Sequence, residues 1–156
     1  MVIQIGRSGV IALSLVACLA SNLGAAQLLP SEFVGVWMVG DSGRNECTKA
    51  DWNDRKSDRL MNVSPRSIEY WESGCDIVGV ATQNQQSPEA VTSKLSLSCS
   101  GEGTSWRSIQ LWHTRLMGAR KLLVQAEIKR WDERDDNGKR IRPTGELYVD
   151  VAVECK

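Results

Sequence analysis

A chain of 156 residues suits one domain, and its 19 basic residues balance 19 acidic ones. This balance argues against a nucleic-acid partner, because binding to the phosphate backbone needs a basic excess. The aromatic residues are unusual, since six tryptophans accompany one phenylalanine and two tyrosines. Such large amphipathic rings can fill a small core or form a binding face.

The first segment is predicted to be a secretory signal peptide. It has one early charge at Arg7, an apolar run over Val10–Ala20 and small residues that end at Ala26. The run is too short to cross a bilayer. We therefore expect a leader over residues 1–26 and a secreted or periplasmic domain over residues 27–156, without a transmembrane helix.

A lipid anchor is the alternative for this segment. Leu15-Val16-Ala17-Cys18 resembles the bacterial lipobox, in which the cysteine is lipidated and becomes the mature N-terminus. A lipid on Cys18 would make the protein a membrane-anchored lipoprotein. In either case Cys18 does not belong to the folded domain.

Four cysteines remain in the domain: Cys47, Cys75, Cys99 and Cys155. An even number of cysteines in an exported chain predicts two disulfides. A zinc site is not expected, because no two cysteines have the Cys-x-x-Cys spacing and His113 is the only histidine.

Short segments of alternating apolar and polar residues, separated by turn residues, predict β-strands. The first covers Phe33–Val39, and the others cover residues 44–49, 60–63, 67–72, 75–82, 90–99, 105–113, 122–129 and 147–155. Eight or nine strands joined by tight turns predict an all-β domain. We expect a small antiparallel up-and-down barrel, with a sandwich as the alternative.

The connections between these strands also carry local signals. A short helical turn is predicted within Asp51–Asp58, capped by Asp51 or Asn53, and a polar loop over Gln83–Glu89. Asp136-Asn137-Gly138 predicts a hairpin with a type I′ turn, because Asn-Gly readily adopts positive φ. In the last strand the alternation predicts three outward-pointing side chains: Tyr148, Asp150 and Glu154.

The disulfide pairing is harder to predict. In a plain meander Cys75 and Cys99 lie at one end of their strands and Cys155 lies at the other, although bonded cysteines must have Cα atoms within about 7 Å. We favour Cys47–Cys75 with Cys99–Cys155, which requires the strand count or the last segment to depart from a plain meander. Cys75–Cys99 with Cys47–Cys155 is the alternative.

No catalytic device, cofactor or metal site is predicted. His113 is the only histidine able to serve as a base, and a lone histidine on a strand face is usually structural. Glu69 and Glu72 would point to opposite faces of a strand. Glu133–Gly138 resembles half of a calcium loop, but Thr144 stands where a bidentate acid is required.

The candidate binding residues are tryptophans and residues of the charged segment around the predicted Asp136-Asn137-Gly138 turn. Lys129–Arg142 mixes charges of both signs, which is typical of a solvated edge or of a protein-contact loop anchored by Trp131 and Arg130. Trp106 and Trp112 share one strand face, where they could stack on a ligand or line a barrel mouth.

Gly35-Val36-Trp37 resembles the Gly-x-Trp opening of the calycins, which include lipocalins, avidins and small bacterial metalloprotease inhibitors. The inhibitors have a cysteine soon after the tryptophan and another some strands later, as Cys47 and Cys75 are here. The resemblance implies an eight-stranded barrel closed at its base by Trp37, with ligand binding or protease inhibition as its function. Four mature cysteines exceed the pair that is usual in the inhibitors.

These observations lead to one main functional expectation. We expect an exported, non-enzymatic interaction module, inhibitor-like or envelope-associated, that acts through its surface loops on an unknown protein partner. The alternative is a calycin-like binder of a small apolar or sugar-like ligand. The absence of a recognisable catalytic group in the sequence favours both over an enzyme.

Overall fold

The computed structural model describes residues 28–40, 47–87, 90–141 and 147–156, with the side chains of residues 83–87 excepted. The predicted leader over residues 1–26, the alternative lipid site at Cys18 and the calcium-loop position Thr144 lie outside the described residues. Within them, no helix is long and apolar enough to cross a membrane.

Eight antiparallel strands form a closed barrel in which each strand pairs with the next and the last pairs with the first. This confirms the predicted all-β up-and-down barrel. The strands are β1 (Gly35–Val39), β2 (Leu60–Val63), β3 (Ser67–Glu69), β4 (Ser73–Ser87), β5 (Ala90–Gly101), β6 (Thr104–Met117), β7 (Arg120–Asp135) and β8 (Val149–Glu154). A 3₁₀ helix (Ser31–Phe33) precedes β1, and a short helix α1 (Lys49–Asn53) lies between β1 and β2.

The prediction of a strand over residues 44–49 is wrong for its described part. Lys49 begins α1, and Thr48 caps the helix instead of Asp51 or Asn53. The Asp51 carboxylate accepts a hydrogen bond of 2.7 Å from the Thr48 backbone amide, which completes a capping box. The predicted loop over Gln83–Glu89 is also wrong, because β4 continues to Ser87.

The predicted type I′ turn at the end of β7 is wrong as well. Gly138 adopts a positive φ of 74°, but Asn137 is not among the residues with positive φ. The Asp135 carboxylate accepts hydrogen bonds from the backbone amides of Asn137 and Lys139, which hold the turn in a wider form. An isolated bridge between Arg134 and Arg140 closes it.

The two ends of the barrel differ. We call the end that holds the 3₁₀ helix and the β6–β7 turn the base, and the end with the β3–β4 and β5–β6 turns the mouth. At the base, the Trp37 indole donates a hydrogen bond of 2.9 Å to the Phe33 carbonyl. Phe33 in turn packs edge-on against Trp112, with 5.8 Å between the ring centroids. All three side chains are fully buried, so this half of the interior is filled.

The outward orientation predicted for Tyr148, Asp150 and Glu154 is wrong. Glu154 is paired directly with the buried Trp37 and therefore faces the same side of the sheet. Tyr148 lines a cavity inside the mouth, and Ala152 on the same side of β8 is fully buried. Val149 and Val151 instead lie on the outer wall, with 70% and 36% of their surface exposed. The polar side of β8 points inward because the mouth half of the barrel interior is itself polar.

The favoured disulfide pairing is wrong, and the alternative is correct. Cys75 and Cys99 are directly opposed on β4 and β5 and are bonded to each other. Cys155, at the base end of β8, is bonded to Cys47. The strands do form a plain meander, which places Cys99 and Cys155 at opposite ends of the barrel. The favoured pairing required a departure from that arrangement, and the structure has none. Two disulfides indicate an oxidising, non-cytoplasmic environment.

The two disulfides should differ in their contribution to stability. They join residues 108 and 24 positions apart in the sequence. On the chain-entropy model, their removal lowers the free energy of unfolding by about 5 and about 3 kcal/mol respectively. We therefore expect Cys47→Ala/Cys155→Ala to be less stable than Cys75→Ala/Cys99→Ala in urea denaturation. The reverse order would show that loop length does not set the relative contributions of the two disulfides.

Candidate functional site

The mouth half of the barrel interior is lined by polar side chains. Alternate residues of a strand point to the same face, and on β6 and β7 the inward positions include Ser108, Gln110, Gln125 and Glu127. All four are buried. Burying polar groups costs free energy unless they form hydrogen bonds, so their partners decide whether the arrangement is stable.

One set of hydrogen bonds runs up the inner wall from the core. The Trp112 indole donates to the Gln110 side-chain oxygen at 2.7 Å. The Gln110 amide nitrogen then donates to the Tyr148 hydroxyl at 2.8 Å. These two hydrogen bonds orient the Gln110 amide so that its nitrogen faces the mouth, and they hold the Tyr148 ring against the interior.

A second set holds a charged pair beside the first. Ser108 donates to Glu127 at 2.7 Å, and the Arg130 Nε lies 3.2 Å from both Glu127 carboxylate oxygens. The Glu127 side chain is fully buried, and that of Arg130 is 18% exposed. The Arg130 guanidinium also lies 5.0 Å above the Trp106 ring. No described residue accepts a hydrogen bond from its terminal nitrogens, which lie beside the cavity described below.

Both tyrosines of the chain lie in this region. Burial raises the pKa of Tyr148 to about 12, and the nearby charges of Glu127 and Asp150 add to the effect. Burial likewise raises the pKa of Tyr70 well above its usual value, and Tyr148 and Asp150 add to it. Both phenols therefore stay protonated near neutral pH, where each can donate and accept a hydrogen bond.

These side chains surround a cavity of about 200 Å³ that we call the inner cup. It is lined by Tyr70, Ser73, Cys75, Cys99, Trp106, Gln110, Arg130 and Tyr148. A larger and more open depression of about 550 Å³, the rim pocket, shares Tyr70 and Ser73 with it. The rim pocket also contains Trp52, and Trp71 with the Arg55 guanidinium 5.4 Å from its ring. The two spaces are thus adjacent along one wall.

The structure separates the four binding residues proposed from the sequence. Trp106 and Arg130 meet in the inner cup. Trp112 shares the inward face of β6 with Trp106, but it is fully buried in the core. Trp131 lies on the outer wall, where the Lys129 ammonium is 5.2 Å from its ring. Arg130 and Trp131 point to opposite sides because neighbouring strand residues alternate.

Sequence reasoning missed Tyr70, Tyr148, Gln110 and Glu127 as members of the site. A signal for Gln110 and Glu127 was present, because polar residues occupy the same strand faces as buried apolar ones on β6 and β7. No comparable signal marks the tyrosines, which are far apart in the sequence and meet only when the barrel closes.

The residues considered for catalysis or metal binding lie elsewhere. His113 is on the outer wall, with Nδ1 2.9 Å from the Thr92 hydroxyl. The Asp135 carboxylate, in the segment that resembles half of a calcium loop, accepts hydrogen bonds from backbone amides of its own turn. Among the described residues, no group of three or more histidine, cysteine or acidic side chains is placed to hold a metal ion.

Comparison with known proteins found no protein-family model, no curated protein and no solved structure that matches this chain. The function must therefore be argued from the geometry and chemistry of the site itself.

The tyrosines allow a direct test of the inner cup. Both phenols are protonated below pH 10 whether the chain is folded or not, so they leave the free energy of unfolding unchanged there. Between pH 10 and about 12 the unfolded chain loses the Tyr148 proton while the folded chain keeps it, so the free energy of unfolding falls. Because the chain has only two tyrosines, tyrosinate absorbance reports these residues alone.

We expect the folded protein to show little tyrosinate absorbance at pH 11, and the urea-unfolded protein to titrate near pH 10. In Tyr148→Phe the one remaining tyrosine, Tyr70, should still titrate well above pH 10 in the folded protein. An ordinary titration near pH 10 in the folded protein would contradict the burial of both phenols.

The charged pair permits a second test. Arg130→Met leaves the Glu127 carboxylate buried without its partner, which should cost about 3 kcal/mol of stability. Glu127→Gln/Arg130→Met removes both charges and should be more stable than that single variant. The outer-wall control Lys129→Met should stay within about 0.5 kcal/mol of the parent protein. Equal stabilities for the single and double variants would mean that the pair is not coupled.

Proposed function

We propose that this protein is an exported, non-enzymatic binding protein whose inner cup takes one ring of a small sugar-like ligand. The observation that carries the proposal is the polar lining of the cup. A barrel needs no polar interior for stability, since burying such groups costs free energy and apolar packing would serve as well. Hydrogen-bonding groups held in fixed positions at an open cavity are the usual means of orienting a ligand.

The lining groups suit a ligand with several hydroxyls. Tyr70 and Tyr148 can each donate and accept, and the terminal nitrogens of Arg130 supply further donors. The Trp106 ring gives an apolar face on the same wall, against which the less polar face of a sugar ring can stack. A cavity of about 200 Å³ is smaller than most ligand pockets, so further parts of a longer ligand would extend over Trp71 in the rim pocket.

A purely apolar ligand is less well supported. The base half of the interior, where such a ligand would insert, is occupied by Phe33, Trp37 and Trp112, all fully buried. An apolar chain in the cup would also cover the Arg130 guanidinium and the phenols without offering them hydrogen bonds. The arrangement therefore favours the sugar-like member of the two ligand classes.

The remaining parts of the proposal rest on the sequence and on the overall fold. The leader pattern, together with the disulfides, supports a secreted or periplasmic location, with lipidation of Cys18 as the alternative. The eight-stranded barrel, with Trp37 buried at its base, supports the calycin resemblance. In favour of a non-enzymatic role, Glu127 is already engaged by Ser108 and Arg130, and His113 is on the outer wall.

A protein partner that contacts the surface loops is the second candidate. It is favoured by Trp71, which is 38% exposed at the rim and has a cation beside it, the kind of residue that anchors many interfaces. Trp131 on the outer wall could take part only in a contact that reaches around the side of the barrel.

Ligand titration with tryptophan fluorescence tests the proposal. A panel of neutral, acidic and amino sugars and their short oligomers should contain at least one member that changes the emission of Trp106. Tyr148→Phe removes one hydroxyl and should weaken binding of that sugar by about tenfold, in keeping with the loss of a buried hydrogen bond. The control Trp131→Phe, on the outer wall, should bind like the parent protein.

Two results would contradict the proposal. One is a flat response to the whole panel, and the other is equal binding by the parent and Tyr148→Phe. Capture of a specific protein that is lost in Trp71→Ala but kept in Tyr148→Phe would instead support the second candidate.

A further inference from the structure

The turn between β6 and β7 lies at the base and exposes apolar side chains. Leu116 and Met117 have 45% and 51% of their surface exposed. Met117 pairs with Arg120 across a two-residue turn, in which Gly118 has a φ of 64°. A tight hairpin of this kind holds its tip in one shape. We call residues 115–121 the base hairpin.

The base hairpin is also basic. It contains Arg115, Arg120 and Lys121 and no acidic residue. The Lys121 ammonium lies 3.9 Å from the Glu154 carboxylate, which offsets part of its charge. Arg115 is exposed and has no ion pair with a described carboxylate. The apolar tip is therefore flanked by net positive charge.

Exposed apolar surface continues from the hairpin along the outer wall. A groove of about 460 Å³ is lined by Gly40, Arg115, Met117, Leu122, Val149 and Val151, and it is also bordered by Asp150, whose carboxylate acts on the interior tyrosines. Exposed apolar residues scattered singly need no explanation, but a contiguous group marks an interaction surface. The partner must accept apolar side chains and carry negative charge beside them.

We propose that the base hairpin docks the domain on the surface of an anionic lipid bilayer. Leu116 and Met117 would enter the headgroup region, while the exposed Arg115 lies among the lipid phosphates. Apolar side chains beside cations are the combination by which peripheral elements bind such surfaces. The charge of the hairpin fits an anionic surface, and the two exposed apolar side chains fit the headgroup and acyl boundary of that surface.

The path of the chain agrees with this orientation. Leu28, the first described residue, is 51% exposed, and the Leu29 amide donates to the Pro65 carbonyl in the β2–β3 turn, which also lies at the base. The chain thus enters the domain at the end that we place on the membrane. The inner cup is at the opposite end and would face the aqueous phase. This docking is independent of what the cup binds.

Vesicle sedimentation tests the docking. The protein, carrying Cys18→Ser so that no acyl chain contributes, is mixed with vesicles of phosphatidylcholine alone or with added phosphatidylglycerol. We expect binding to the anionic vesicles only, weakened by salt. Leu116→Ser/Met117→Ser should lower the partition coefficient at least tenfold, and Arg115→Ser about fivefold. The matched controls are Val78→Ser, exposed on β4, and Arg140→Ser at the mouth.

A second readout locates the contact within the molecule. Met117→Trp should add a fluorescence signal that brominated phosphatidylglycerol quenches, whereas the same change at Val78 should add none. Equal binding by the parent and the hairpin variants, or an unquenched tryptophan at position 117, would overturn the proposal. A third result would also overturn it: the parent protein does not bind vesicles but self-associates, and Leu116→Ser/Met117→Ser abolishes the self-association. The surface would then be an interface with a second copy of the chain.

Discussion

Closure of the barrel depends on a short seam between its first and last strands. Three residue pairs form it: Trp37 with Glu154, Met38 with Val153 and Val39 with Ala152. Two further backbone hydrogen bonds lengthen the seam, from Gly40 to Val151 and from Cys155 to Val36. The Cys47–Cys155 disulfide covers its base end and ties the segment before α1 to the last strand. A slip of one residue here would reverse the faces of β8 and place Tyr148 outside the barrel.

The closed barrel divides its interior into two environments. At the base, Trp37, Phe33 and Trp112 are fully buried and supply apolar stabilisation. Toward the mouth, Gln110 and Glu127 occupy equivalent inward positions, and each must find a hydrogen-bonding partner. Trp112 connects the halves, because its ring belongs to the core and its N–H begins the polar chain toward Tyr148. The core thus fixes the orientation of groups in the candidate site.

The two ends of the barrel also present different outer surfaces. The mouth presents the inner cup and the rim pocket, where hydrogen-bonding groups and aromatic rings suit a polar ligand. The base presents the Leu116–Met117 tip and its cations, which suit an anionic apolar surface. A barrel is a rigid spacer between its two ends, so a domain held at its base would keep its mouth open to solvent. The two proposals remain separable, because the variants that test one leave the other end unchanged.

Much of the fold followed from local patterns. Alternation along Ala90–Cys99 predicted a strand, and the inward residues of the corresponding β5 are buried, while the spacing of turns predicted an up-and-down barrel. The pairing of disulfides did not follow, although the geometry of a meander already separated Cys99 from Cys155. The last strand was also misread, because its valines were assigned to the core by hydrophobicity alone. In a barrel with a polar mouth, that rule selects the wrong face.

The sequence by itself determined the number of disulfides, the strand periodicity and the all-β class, because each of these depends on residues close together in the chain or on simple counts. Only the tertiary structure decided which faces point inward and which distant side chains meet. Tyr70 and Tyr148 join one cavity through the closure of the sheet, and Arg130 is separated from Trp131 by the register of β7. Register and closure arise from pairings across the whole chain, so no local pattern contains them.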